Sequence, residues 1–172
     1  ENVGGCQKFM LDVVKDPADI LHTKCDMVDF KNVDVEKLSV AMHESMLYNK
    51  GIGLAAPQVN EKIRMFVMQY NDNKFTVVNP EIVDSTGDNI LLLEGCLSFP
   101  NLFMKVKRPE TVFVKYYDER EKLHEDKLQG WMSRIFQHEY DHLEGVTFDK
   151  RVSRLVLDMA KKRMQKDARR AR

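Results

Sequence analysis

Nothing in this chain restricts its architecture as much as the nonapeptide QHEYDHLEG, Gln137 to Gly145. Its two histidines stand four residues apart with a glutamate directly after the first, so on a helix both imidazoles share one face. Projected at 100° per residue from His138, Trp131, Arg134, Ile135 and His142 fall between about −40° and +60°, and Met132, Phe136, Tyr140 and Leu143 between about 120° and 200°. The second face is a core stripe, while the first mixes two imidazoles with an aromatic, an aliphatic and an arginine. A helix with work on both sides is a buried helix, and buried imidazoles need partners. Hydrogen-bonded core histidines would account for either ring alone; the HExxH arrangement points to a metal.

Glu139 projects to about 100°, at the border of the metal face, where a carboxylate reaches a water on the metal without being a ligand. Asp141 lies on another side and reads as a supporting or structural carboxylate. Two histidines do not complete a catalytic site, which wants a third protein ligand and one open position. A downstream glutamate of the thermolysin kind is excluded, because no Glu follows Glu144. The third histidine of the metzincin pattern falls on Phe148. The ligand therefore lies upstream, among His22, His43, His124, the cysteines Cys6, Cys25 and Cys96, and various carboxylates. His43 is expected to face outward on its helix, and His124, in EREKLHEDK, to lie in a solvated turn.

Cys96 stands apart. In LLLEGCLSFP the apolar run Ile90 to Leu93 is expected to bring the chain inward, Gly95 to allow close backbone approach, and Pro100 to end regular structure. A thiolate there, with two imidazoles, makes a Cys-His-His site with an open fourth position; a buried cysteine acting as a small hydrophobe is the alternative. GIGLAAPQ, Gly51 to Gln58, superficially fits a dinucleotide fingerprint, but it follows a helix instead of a strand, and Pro57 stands where the phosphate-binding helix should begin. No nucleotide cofactor is expected. Small residues there let backbone approach a substrate, with the Gln58 amide free to donate a hydrogen bond.

Around these motifs, a stripe of Leu38, Ala41, Met42, Ser45 and Met46 predicts a helix over Asp34 to Lys50, closed by Gly51 in a left-handed conformation. Strands are predicted over Ile63 to Tyr70, Lys74 to Val83 and Thr111 to Asp118, the first two joined by a hairpin at YNDNK, and a second helix over Leu128 to Glu144. Helices and strands without regular alternation favour an α+β fold in one domain, residues 1–172. The longest apolar runs fall well short of the roughly 18 residues that cross a bilayer, so no membrane is expected. Three cysteines are too few for a disulfide framework. Formal net charge is +0, yet 149–172 carries ten Lys and Arg against three Asp, a net +7 on a body of −7. Val152, Leu155, Val156 and Met159 predict that this segment begins as a helix packed on the body. Its basic end reads either as a solvated helix terminus or as an arm toward a polyanion, most plausibly RNA.

GIGLAAPQ, EGCLS and QHEYDH, in this order and spacing, resemble the three signature motifs of the peptide deformylases, and the likeness runs from DPADIL to the basic final helix. The resemblance implies a central metal-bearing helix against antiparallel sheets, with an N-terminal and a C-terminal helix. It implies hydrolytic removal of formate from the N-formyl-methionine of nascent chains. It maps metal ligation onto Cys96, His138 and His142, general acid/base catalysis onto Glu139, and oxyanion stabilisation onto the Gln58 amide and the Leu97 backbone N–H. Gly53 would pair with the peptide backbone, and Ile52, Leu92, Gly95, Trp131, Arg134 and Ile135 would border the substrate. Phe103 stands where many members carry an arginine, and Trp131 and Arg134 replace residues often aliphatic. The resemblance also implies Fe(II) as the metal, with zinc, nickel or cobalt possible on isolation, ribosome docking through the basic helix, and a cytoplasmic, bacterial-type enzyme, organellar if a transit peptide preceded Glu1. A metallopeptidase of other specificity and a structural metal module that binds RNA or the ribosome are the alternative functions.

Overall fold

Met65, Phe66, Val67 and Met68 are all buried, and because successive strand side chains point to opposite faces, this strand needs cover on both sides. Two helices provide it. The structure, a computed structural model, describes residues 10–172. Its elements are α1 (Val35–Tyr48), β1 (Gly53–Ala55), β2 (Met65–Tyr70), β3 (Asn73–Cys96), β4 (Phe99–Tyr117), β5 (Leu123–Gln129), α2 (Gly130–Leu143) and α3 (Arg154–Arg170), with short 3-10 turns at Asp19–His22, Ala56–Val59 and Phe148–Arg151. The strands form one antiparallel sheet in the order β1-β2-β3-β4-β5. The α+β fold expected from the sequence is the one observed.

Met65 and Val67 pack with Met42 and Met46 of α1, and Phe66 and Met68 with Ile135, Phe136 and Leu143 of α2. The Phe66 and Phe136 rings meet edge-on at 5.1 Å between centroids; burial of such a side chain contributes about 1.5–3 kcal/mol. The stripe predicted on α2 is the one that packs, with Met132 and Tyr140 at its margin. No helix among the described residues is long and apolar enough to cross a membrane.

Several local expectations are corrected. Asp34 caps α1, accepting from the Lys37 N–H at 3.2 Å. Its left-handed closing residue is Lys50, at φ 60°, and not Gly51. The Gly51 N–H reaches Met46 O and the Lys50 N–H reaches Leu47 O, the paired bonds of a Schellman ending. Gly51 is small for another reason: a Cβ there would lie 2.7 Å from Leu97 Cδ1. The hairpin at YNDNK is confirmed, with Asn71 and Asp72 both at positive φ, as a two-residue primed turn requires.

The larger differences lie in β3 and β4. Each runs far beyond its predicted limits, through polar stretches such as Asp84–Asn89, because cross-strand pairing supplies backbone partners where side-chain pattern gives no strand signal. Register shifts between Val78 and Glu81, Ile82 and Asp84, and Thr86 and Asn89 interrupt the ladder. Pro100 does not end regular structure; it sits, exposed, near the start of β4. His124 is no turn residue but lies in β5, stacked on Tyr116 and bonded to Asp118 at 2.8 Å. His43 faces the sheet, its Nε2 3.2 Å from Thr76 Oγ1. Of the predicted stripe Val152, Leu155, Val156 and Met159, Val152, just before α3, packs on the body as expected, but the other three face solvent, and α3 packs instead through Leu157, Ala160 and Met164 on Leu102, Met104 and Val106 of β4.

Candidate metal centre

On α2, the four-residue spacing delivers His138 and His142 to one face, their ring centroids 5.2 Å apart. At the far end of β3 the chain turns back through Leu97 and Ser98 into β4, and Cys96, its last residue, is held against that face. Cys96 Sγ lies 3.4 Å from His142 Nε2, and one donor atom from each of Cys96, His138 and His142 falls within 4.8 Å of the others. Of the upstream candidates, Cys96 is the residue that arrives. Cys25 is buried elsewhere, its thiol pushed up to about 11 by burial, and Cys6 lies outside the described residues.

His138 Nδ1 donates to Glu94 Oε1 at 2.8 Å, which fixes the tautomer and leaves the Nε2 lone pair for the centre. Glu94 is 6% exposed yet charged. It takes two bonds from Arg108, at 2.7 and 3.0 Å, and a third contact from Arg134 Nη1 at 2.5 Å. Burial alone would raise its carboxyl, but the bonds from His138 and Arg108 prevail and lower it to about 2. Arg108 also reaches Asp141 at 2.8 Å, and Arg151 holds the same carboxylate at 2.7 and 3.0 Å. Asp141 is thus the structural carboxylate expected. A line of alternating charge, His138–Glu94–Arg108–Asp141–Arg151, fixes α2 to both long strands.

Glu139 is 4% exposed. Its Oε1 is 3.9 Å from His138 Nε2, and its Oε2 has no partner among the described residues. Burial pushes its carboxyl up to about 7 against the pull of the His138 imidazole, with Glu94 adding to the rise. A carboxyl in that range can take and return a proton near neutral pH. His142 is held neutral, well below the ordinary histidine range, by burial and then by His138. β1 passes directly over Glu139: a Cβ on Gly53 would lie 2.7 Å from its Oε1, so any side chain at this position must displace the carboxylate.

Gln58 follows β1 in a 3-10 turn. Its Oε1 accepts from the Ala55 N–H at 2.9 Å, and its Nε2 donates to Ser98 Oγ at 3.1 Å and lies 3.5 Å from Cys96 Sγ. The Ala55 donor settles which end of the amide is oxygen, and so aims the NH₂ at the centre. The Ser98 hydroxyl donates in turn to Val14 O at 2.6 Å. The 15th residue, Lys15, bonds Leu97 O at 2.9 Å.

A cavity of about 700 Å³ opens onto this cluster. Ile52, Gly53, Gly95, Leu97, Trp131, Arg134 and Ile135 are on its wall, as is Leu93 in place of the expected Leu92, which turns to the inner side of β3 opposite Val106. Arg134 touches the cavity, but its guanidinium points away, bonded to Glu94, Val106 O and Ile90 O. Glu94, Arg108 and Ser98 were not singled out from sequence. The one signal for Glu94 was a lone carboxylate closing the run ILLLE; Arg108 and Ser98 gave none.

The site accommodates a metal by its own chemistry. A thiol and two imidazoles converge, the outer nitrogen of His138 is already held by a carboxylate, and such a set suits Fe(II), zinc, nickel or cobalt. Comparison with known proteins agrees. The family model described as polypeptide deformylase matches residues 10–157. The peptide deformylase of Thermotoga maritima is 37% identical over 145 residues, 84% of this chain and 87% of that protein. That of Karelsulcia muelleri is 41% identical over 133 residues, 74% of this chain and 70% of that protein. A crystal structure of the Synechococcus elongatus peptide deformylase in complex with actinonin superposes with a TM-score of 0.85 at 34% identity, covering 90% of this chain and 86% of that one. With its three motifs assembled around one cluster and these relatives spanning most of its length, the chain belongs to the polypeptide deformylase family.

Proposed function

We propose that this chain hydrolyses the formyl group from the N-formyl-methionine of nascent polypeptides, with Cys96, His138 and His142 holding one divalent metal ion and Glu139 moving the proton. The observation that carries this reading is the buried Glu139 carboxyl, beside His138 Nε2 and facing the same cavity as the oriented Gln58 amide. Bound there, the metal would supply Lewis-acid activation of water at neutral pH. Glu139 accepts the proton of the attacking water and delivers it to the amide nitrogen as the C–N bond breaks and formate departs. The Gln58 NH₂ and the Leu97 N–H donate to the formyl oxygen as it gains negative charge, each worth roughly 3 kcal/mol of barrier. β1 is an edge strand, so the backbone around Gly53 can pair with an extended peptide. Ile52, Leu93, Trp131, Ile135 and the aliphatic stem of Arg134 border the methionine side chain.

Fe(II) is the metal proposed for the working enzyme, with zinc, nickel or cobalt taken up on isolation because they bind such a site more tightly. Residues 1–172 act as one catalytic unit. The exposed cations of α3 favour docking on ribosomal RNA, and the bacterial relatives favour a cytoplasmic site of action. A closed structural metal site calls for four protein ligands, and three converge among the described residues. Anaerobic turnover of a formyl-methionyl peptide beside its acetyl counterpart tests the proposal. Hydrolysis of the formyl substrate, cut roughly 10²–10⁴-fold in Glu139→Ala with metal content unchanged, is expected. Full activity in that variant would refute the mechanism.

A further inference from the structure

Val14, Lys15 and Asp16 belong to no helix or strand. They nevertheless bond repeatedly to the two turns that carry the proposed oxyanion donors, Gln58 and Leu97. The Val14 N–H donates to Gln58 O at 2.7 Å and the Asp16 N–H to Ser98 O at 2.9 Å. Val14 O accepts from the Ser98 hydroxyl at 2.6 Å, and Lys15 Nζ donates to Leu97 O at 2.9 Å. Upstream, the Leu11 N–H bonds Ser45 Oγ of α1 at 2.7 Å, so the segment is anchored to the body before it reaches the turns.

The effect on each donor follows from geometry. Gln58 and Ser98 are each 1% exposed, and buried polar groups of this kind depend on the partners they have. Gln58 Oε1 is taken by the Ala55 N–H and one Nε2 hydrogen by Ser98 Oγ, which leaves the second hydrogen facing the centre beside Cys96 Sγ. Ser98 Oγ accepts there because its own proton is committed to Val14 O. Leu97 and Ser98 form the turn between β3 and β4, flanked by the paired Cys96 and Phe99. Cys96 is held by the ladder, and both turn carbonyls are held by Lys15 and Asp16. The rigid peptide plane that carries the Leu97 N–H therefore has little freedom to rotate.

We propose that Val14–Asp16 is a strap that preorganises the oxyanion donors, with Ser98 the positioning residue for the Gln58 amide and Lys15 the positioning residue for the Leu97 N–H. The inference rests on the deformylase reading above and deepens it. Both residues act through a donor and not on the substrate. Donors already aimed where charge develops lower the barrier without having to reorganise first. Slack in the strap is therefore felt in the transition state, and costs kcat more than KM.

The test measures kcat and KM for a formyl-methionyl peptide with the metal-loaded parent and variants, metal content being checked in each. Ser98→Ala should lower kcat about tenfold at nearly constant KM, less than the roughly 10²–10³-fold of deleting an oxyanion donor outright. Made in a Gln58→Ala background, the same change should cost no more than about twofold, because the group it positions is gone. Lys15→Met should lower kcat about fivefold and keep that loss in Gln58→Ala, since it acts through Leu97. Lys15→Arg can still donate to Leu97 O and should retain most of the parent rate. An equal loss from Ser98→Ala in both backgrounds gives Ser98 a structural role alone and overturns its part of the proposal. Lys15 is exposed, so its variants decide the matter even if Ser98→Ala does not fold: equal rates in Lys15→Met and Lys15→Arg overturn the hold on Leu97. Parent kcat in both Ser98→Ala and Lys15→Met overturns the strap and leaves the deformylase reading standing. A parent enzyme that turns over no formyl peptide overturns the deformylase reading and the strap with it.

Discussion

Replacing Glu94 by Gln keeps the shape of the side chain and removes its charge, at the point where two arginines meet His138, one of the three proposed metal ligands. The carboxylate accepts from His138 at 2.8 Å, twice from Arg108 at 2.7 and 3.0 Å, and from Arg134. A glutamine presents one oxygen and one NH₂ to these donors, so at least one donor faces another donor. Removing one member of a buried ionic group costs about 3–5 kcal/mol. Arg108 keeps Asp141, and Arg134 keeps two backbone carbonyls, which favours the lower end, about 3 kcal/mol. For a chain of this size that corresponds to a fall in Tm of roughly 6–12 °C. The His138 ring also loses the anion that orients it, so metal affinity should fall about 10–100-fold. Urea unfolding of the metal-free variant measures the first effect, and competition against a chelator the second. Arg134→Met separates the two, because it disturbs the same group while His138 keeps its bond: stability should fall with much less loss of metal affinity. Stability within about 0.5 kcal/mol of the parent, the range of an ordinary surface change, together with unaltered metal affinity in Glu94→Gln, would show that the charge does not orient His138.

In Gly53→Ala the new methyl carbon meets Glu139 Oε1 at 2.7 Å, so the carboxylate must shift and kcat should fall about 100-fold; steady-state rates within twofold of the parent would contradict this. His43, lowered from 6.5 to about 4 by burial and then by Lys74, makes folding pH-dependent. Between those values the unfolded chain binds the proton and the folded chain does not, so stability present above pH 6.5 is lost as pH falls toward 4. Urea midpoints across that window should slope less in His43→Gln than in the parent, and parallel slopes would exclude the effect. Deleting Lys161 to Arg172 should weaken co-sedimentation with ribosomes and flatten its salt dependence while peptide turnover persists; unchanged ribosome affinity would remove α3 from that role.

The HExxH spacing determined that His138 and His142 share a face, because the 3.6-residue period is a property of the helix itself and needs no other part of the chain. The same local rule placed Phe136 and Leu143 in the core, and the NDN turn between β2 and β3 followed from residues that tolerate positive φ. Elimination among possible ligands led to Cys96, although periodicity could not say how it arrives. Tertiary structure decided the rest. β3 and β4 extend through polar sequence because each supplies the other's backbone partners. That pairing is what carries Cys96 to a helix beginning more than thirty residues later and sets Glu94 opposite His138, 44 residues away in sequence. Arg108 cannot be read as the partner of Glu94 and Asp141 until three elements pack, because buried charges choose partners by proximity. In α3 two apolar stripes were available, and only the shape of the β4 surface selected Leu157, Ala160 and Met164. Local periodicity specifies which residues share an element's face; what that face meets depends on the long-range contacts that desolvate it.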